Sequence, residues 1–198
     1  YMDVIQMVRY GFTRTVASLG TALTENQAKL LKHHAGEIYI LYDGDAAGIR
    51  ATNRAIEVLE GAGIRPKIIQ LEEGLDPDDY LKQYGEEAMD KAIDNALVPT
   101  KYFIREEMKK YNLNQVEERV AFVEKAAEII ARLDRSFERD EYIKSLATQA
   151  QLDPDSLLEE VQRKRGATMK IGYKKEDKEI QKPKQKGKIS RARGQLMV

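Results

Sequence analysis

The stretch Glu37-Ile38-Tyr39-Ile40-Leu41-Tyr42-Asp43-Gly44-Asp45-Ala46-Ala47-Gly48 decides how the rest of this chain is read. From Ile38 to Tyr42 the residues are mostly apolar with no polar alternation, the pattern of a strand covered on both faces inside a parallel α/β layer. The chain then turns abruptly. Asp43 stands where the strand ends, Gly44 permits a tight turn, and Asp45 is placed to cap a helix over residues 46–61. Ligands of open α/β sheets bind outside the carboxyl ends of the strands, so both carboxylates face the crevice where a site would form. Two carboxylates held about 4 Å apart repel by roughly 4 kcal/mol at an effective dielectric of about 20, so the pair calls for a proton or a cation. Mg²⁺, which takes one or two carboxylates plus substrate phosphates, fits that demand. The plainer alternative is an acidic turn that ends in a helix cap.

The same event recurs downstream. Pro66-Lys67-Ile68-Ile69-Gln70-Leu71 reads as the next strand, and Glu73-Gly74-Leu75-Asp76-Pro77-Asp78-Asp79-Tyr80 follows it: a glycine bends the chain and acidic residues precede a proline-led helix start. Strand, helix, strand and helix at these spacings form a right-handed crossover series, which puts both acidic turns on one edge of a parallel sheet. Asp43, Asp45, Asp76 and Asp78 then face a common crevice. For Asp76 to Asp79 the alternative is a helix start with favourable first-turn charges.

Upstream, Val4, Ile5, Met7 and Val8 have near-helical spacing, so the chain opens as a helix after a loop around Asp3 and stops at Gly11. Thr13 to Ser18 is a short strand candidate. Thr24 and Gln27 match a capping box, predicting a helix over residues 25–34 that ends in His33 and His34, where a helix dipole favours positive charge. Downstream of Pro99 the apolar positions Tyr102, Phe103 and Met108, then Val116 to Ile130, Tyr142 to Leu146, and Leu157 to Val161 predict four amphipathic helices, the last opened by Asp153-Pro154.

Composition bounds the function classes. The chain has 198 residues, 42% of them apolar, and no cysteine, which removes disulfides and thiolate metal sites. No run approaches the roughly 20 apolar residues of a membrane span. The formal net charge of zero conceals an asymmetry, because residues 164–198 carry 12 Lys or Arg against 3 Asp or Glu. That end reads as a basic linker able to touch phosphates through charge alone. The expected organisation is an α/β unit over residues 1–98, a helical subdomain over 99–165 and the linker over 166–198.

Four motifs in order, Tyr1-Met2-Asp3-Val4, Ala17-Ser18-Leu19-Gly20-Thr21-Ala22-Leu23-Thr24, Tyr42-Asp43-Gly44-Asp45-Ala46-Ala47-Gly48 and Gly74-Leu75-Asp76-Pro77-Asp78, resemble the catalytic core of bacterial DNA primases. The resemblance implies a Toprim fold, a parallel sheet flanked by helices, followed by an all-α subdomain. It implies Asp43 and Asp45 as catalytic metal ligands, Asp76 and Asp78 as further ligands, and Asp3, with Tyr1, in the segment after the family's catalytic glutamate. That glutamate would lie two residues before Tyr1, so the chain is read as a fragment that lacks the first Toprim strand and does not prime alone. The implied cofactor is Mg²⁺, with Mn²⁺ as substitute. The implied partners are a single-stranded DNA template, nucleoside triphosphates and an RNA primer, with the replicative helicase bound through a domain absent here. A monomer in the bacterial cytoplasm at the replication fork is expected. The implied chemistry is nucleotidyl transfer assisted by metal ions. A haloacid-dehalogenase-type phosphatase would want Thr after the second aspartate, where Ala46-Ala47-Gly48 stands. A type I topoisomerase would follow the turn with Arg-Glu-Gly-Glu. No dinucleotide, Walker or nucleophile-elbow motif occurs. A non-catalytic module that binds nucleic acid or a partner is the remaining alternative.

Overall fold

A computed structural model describes residues 2–18, 22–72 and 74–166. Its sheet is small because only four residues satisfy the ladder: β1 (Tyr39–Ile40) runs parallel to β2 (Lys67–Ile68), with Tyr39 opposite Lys67 and Ile40 opposite Ile68. Flanking backbone bonds extend the pairing, from Lys67 N–H to Ile38 O and from Ile69 N–H to Ile40 O, both 2.9 Å. An antiparallel bridge joins Ile68 to Leu97. Both strands are thus shorter than their apolar runs, and the chain is mostly helical around a short parallel pair.

Helix α1 (Met2–Arg9) precedes α2 (Glu25–His34), and α3 (Ala46–Gly61) crosses between the strands. Asp3, expected in a loop, lies in the first turn of α1. The capping box at α2 is present in full: Thr24 Oγ1 accepts from Gln27 N–H, and the Gln27 side chain accepts from Thr24 N–H at 2.9 Å. The strand candidate at residues 13–18 is absent. There the chain turns instead, with Thr13 N–H bonding Gly11 O and the Thr15 hydroxyl bonding Phe12 O. Local β-propensity alone does not make a strand where no neighbouring strand offers a ladder.

After β2 come α4 (Pro77–Tyr84), α5 (Glu86–Asp94) and α6 (Pro99–Met108). The sequence patterns miss α5, which begins at Gly85 with φ 79° and no side-chain cap. Ala28, Ile40, Ala55, Ile56, Leu59, Ile68, Leu97 and Tyr102 form the core beneath the sheet. A second cluster, Met7, Leu81 and Met89, ties α1 to α4 and α5. Burial pushes the Tyr102 phenol up to about 12, with the Glu106 charge adding to it and a hydrogen bond with the buried Thr52 opposing it. Tyr102 belongs to this core, so α6, expected to open the helical subdomain, packs on β2.

Contacts divide the chain into two compact units, the first ending at Phe122 and the second beginning at Val123. Helix α7 (Val116–Ala131) spans that boundary, and α8 (Ser136–Ala150) follows. The last helix, α9, covers 154–166 and starts as the sequence indicates, with Asp153 Oδ2 accepting from Ser156 N–H at 3.0 Å. Ile130, Ile143, Leu146, Leu157 and Val161 are buried in the second unit. Lys164 pairs with Glu128 at 2.8 Å, and Arg165 donates to Leu133 O. Nearly all of the basic linker, residues 167–198, lies outside the described residues.

Leu59 is 1% exposed on the sheet-facing side of α3, whereas Val120 is 51% exposed. Leu59→Ala is expected to cost about 2–5 kcal/mol in urea unfolding, and Val120→Ala to stay within about 0.5 kcal/mol of wild type.

Candidate metal centre

The parallel register of β1 and β2 brings both strands to the same edge, where each hands the chain to an acidic turn. In the first turn, Asp45 is the N-cap of α3 and its Oδ1 accepts from Gly48 N–H at 2.6 Å. In the second, Asp76 is the N-cap of α4 and its Oδ1 accepts from Asp79 N–H at 2.7 Å. The capping reading and the site reading of these aspartates coincide: capping fixes one oxygen of each carboxylate and leaves the other oriented by the helix terminus.

Gly48 controls the first turn. A Cβ built there would sit 2.0 Å from the Asp43 carbonyl oxygen and 2.9 Å from its carbon, so only glycine lets the first turn of α3 lie against the Asp43 backbone. Gly44, assigned the tight turn from sequence, is not among the glycines with positive φ. Gly74 in the second turn is, at φ 84°. The signal for Gly48 was legible as a poor helix former inside a helix's first turn.

Asp43 is exposed, yet its carboxyl is held above the usual carboxylate range. Desolvation against the turn is the main cause, followed by the charges of Asp3, Asp76 and Asp45. Three of the other four sequence-indicated carboxylates are therefore within electrostatic reach of Asp43. Asp78, the fifth, lies in the first turn of α4: its Oδ2 takes the Lys82 ammonium at 2.7 Å, while its Oδ1 is buried with no hydrogen-bond partner. His33 and His34 end α2, and among the described residues they join no ligand set.

Among the described residues no three His, Asp or Glu side chains are grouped closely enough to hold a metal by themselves. Mg²⁺ needs only one or two carboxylates, completing its octahedron with water and phosphate oxygens, so Asp43 with Asp45 or Asp76 supplies a sufficient protein share. The like-charge strain on Asp43 and the orphaned Asp78 oxygen fit a cation. Lys82, which the motifs did not single out, brings a positive charge to the second turn through its pair with Asp78.

Comparison with known proteins follows the same lines. Residues 1–81 match the protein-family model described as Toprim-like, and residues 100–155 match that of the DnaB-helicase binding domain of primase. The DNA primase of Clostridium acetobutylicum is 42% identical over 147 residues, covering 74% of this chain and 24% of that protein. The DNA primase of Halalkalibacterium halodurans is 38% identical over 161 residues, covering 81% and 27%. The RNA polymerase domain of Mycobacterium tuberculosis primase DnaG in complex with double-stranded DNA aligns with a TM-score of 0.66 at 27% identity, covering 77% of this chain and 50% of that one. A DNA primase domain from Pseudomonas aeruginosa aligns at 0.58 and 28%, covering 82% and 52%.

The α/β unit is thus a Toprim-like domain, defined by its parallel pair and its two acidic turns. The chain belongs to the bacterial DNA primase family and spans about a quarter of the length of the curated relatives it matches.

Two measurements follow from this geometry. Gly48→Ala is expected to lower the melting temperature markedly, whereas Gly61→Ala, which meets nothing within 4 Å in the last turn of α3, should leave it unchanged or raised. Because the folded pKa of Asp43 lies above its unfolded value, stability falls as pH rises through that interval, and the full penalty is present at neutral pH. In metal-free buffer Asp43→Asn should therefore melt higher than wild type at neutral pH, the gain shrinking as pH falls toward about 4.

Proposed function

We propose that this chain supplies the metal-binding part of the RNA-polymerising centre of a DNA primase, which makes short RNA primers on single-stranded DNA. The observation that carries this reading is the convergence of Asp3, Asp45 and Asp76 on the Asp43 carboxyl at the carboxyl edge of the parallel pair. Asp43 and Asp45 act as the principal ligands, with Asp76, Asp78 and Asp3 completing the acidic rim. Divalent Mg²⁺, or Mn²⁺ in its place, would supply activation of the primer hydroxyl and neutralisation of the triphosphate.

The residues of the chain do the positioning. The Gly48 N–H holds Asp45, the Asp79 N–H holds Asp76, and the contact of Gly48 with the Asp43 backbone holds the first turn in place. Relatives named DNA primase and a solved primase catalytic domain bound to single-stranded DNA support a nucleic-acid template as partner. The resemblance by itself implies helicase contact through a domain outside this chain. The match of residues 100–155 to a helicase-binding primase domain supports placing such a contact on α6 to α8. We take 1–98 as the Toprim part, 99–165 as the helical part and 166–198 as a linker, in a protein acting in the bacterial cytoplasm.

Mg²⁺ at about 100 times its dissociation constant stabilises a one-site protein by about 2.7 kcal/mol, or roughly 5–10 °C for a chain of this size. Differential scanning fluorimetry with and without Mg²⁺ or Mn²⁺ should show a shift of that order for wild type and none for Asp45→Asn. An equal shift in the variant would mean that the carboxylates serve only the helix caps, and would favour a non-catalytic Toprim-like module.

A further inference from the structure

An open cleft of about 290 Å³ is lined by Gln6, Arg9, Tyr10 and Lys82. It is formed by two packed helices. Met7 on α1 and Leu81 on α4 meet in one apolar cluster, with Tyr10 packed against it, so the residues adjacent to those anchors are fixed in place. Its polar groups are a guanidinium, an ammonium, an amide and a phenol, all able to donate hydrogen bonds.

The two cations are not equally committed. Arg9 bonds the Gln6 side-chain oxygen at 3.4 Å, and among the described residues no carboxylate pairs with it. Lys82 pairs with Asp78 at 2.7 Å and approaches Asp79 at 3.9 Å, yet its side chain is 55% exposed and keeps donors for a second acceptor. A planar guanidinium with an open face matches phosphate oxygens bidentately. Asp3 in the first turn of α1 and Arg9 in the last are six residues apart, which is about 9 Å along the helix axis.

We propose that Arg9 and Lys82, with Gln6 and Tyr10, bind a backbone phosphate of a nucleic-acid strand whose neighbouring nucleotides lie at the acidic rim. The inference rests on the primase reading and adds to it a subsite on the far end of α1. The contact is to phosphate, so it carries no sequence preference.

Fluorescence anisotropy of a short labelled single-stranded oligodeoxynucleotide, titrated with the full chain over a range of salt, tests it. Arg9→Ala is expected to weaken binding roughly two- to tenfold, the worth of one exposed contact, and to reduce the log–log salt slope by about 0.7. Arg9→Lys should keep the slope while losing part of the affinity. Lys29→Ala, on exposed α2, should change neither. An Arg9→Ala protein with wild-type melting temperature, affinity and slope overturns the inference, as does a wild-type chain that binds no strand at low salt. If Arg9→Ala instead weakens a nucleoside triphosphate and leaves strand affinity intact, the cleft holds a nucleotide and the inference is overturned. Failure of the metal reading is seen separately, in the absence of a Mg²⁺-dependent melting shift in wild type and in Arg9→Ala alike.

Discussion

The contact on which the site depends is the approach of Gly48 to the backbone of Asp43. Helix α3 can begin where it does only if its first turn rests directly on the residue that leaves β1, and at 2.0 Å from the carbonyl oxygen there is no room for a side-chain carbon. That approach lets the Asp45 carboxylate reach back to Gly48 N–H, and it brings Asp43 and Asp45 out on the edge that Asp76 reaches from β2. The small sheet contributes by order rather than by size. Two residues per strand in parallel register are enough to send both turns to the same side.

How much of this could be read from the chain alone depends on how local each feature is. The capping box at Thr24 and Gln27, the bounds of α3, the Asp76-Pro77 helix start and the Asp153-Pro154 start are set by neighbours three or four residues away, and all are present. The apolar runs overstate the strands, because ladder length is decided by partners distant in sequence. Helix α5 carries no start signal in the sequence because Gly85, at φ 79°, both ends α4 and begins α5 without a capping side chain.

For the site, the two Asp-bearing turns were legible because parallel order dictates their common edge. Asp3 entered only through resemblance to the primases, since a single acid in a helix's first turn is common. Its influence on Asp43 depends on α1 packing along α4, a pairing of residues more than 70 positions apart that no local pattern announces. The Arg9 and Lys82 cleft was hidden for the same reason.

The carboxylates are unequally satisfied. Asp45 and Asp76 each accept a backbone N–H at a helix amino terminus, where the helix dipole favours negative charge. Asp78 shares its charge with Lys82. Among the described residues no donor bonds the Asp43 carboxylate, which is also the group raised by burial and by its neighbours' charges. The edge therefore holds one carboxylate that the fold disfavours in its ionised state and surrounds it with others already anchored. On the metal reading proposed above, a divalent cation would gain most at Asp43, because there it would remove repulsion as well as add attraction. Gly48 bears on that imbalance directly, because a side chain there would push the first turn of α3 off the Asp43 backbone and so move Asp43 relative to the charges that raise it.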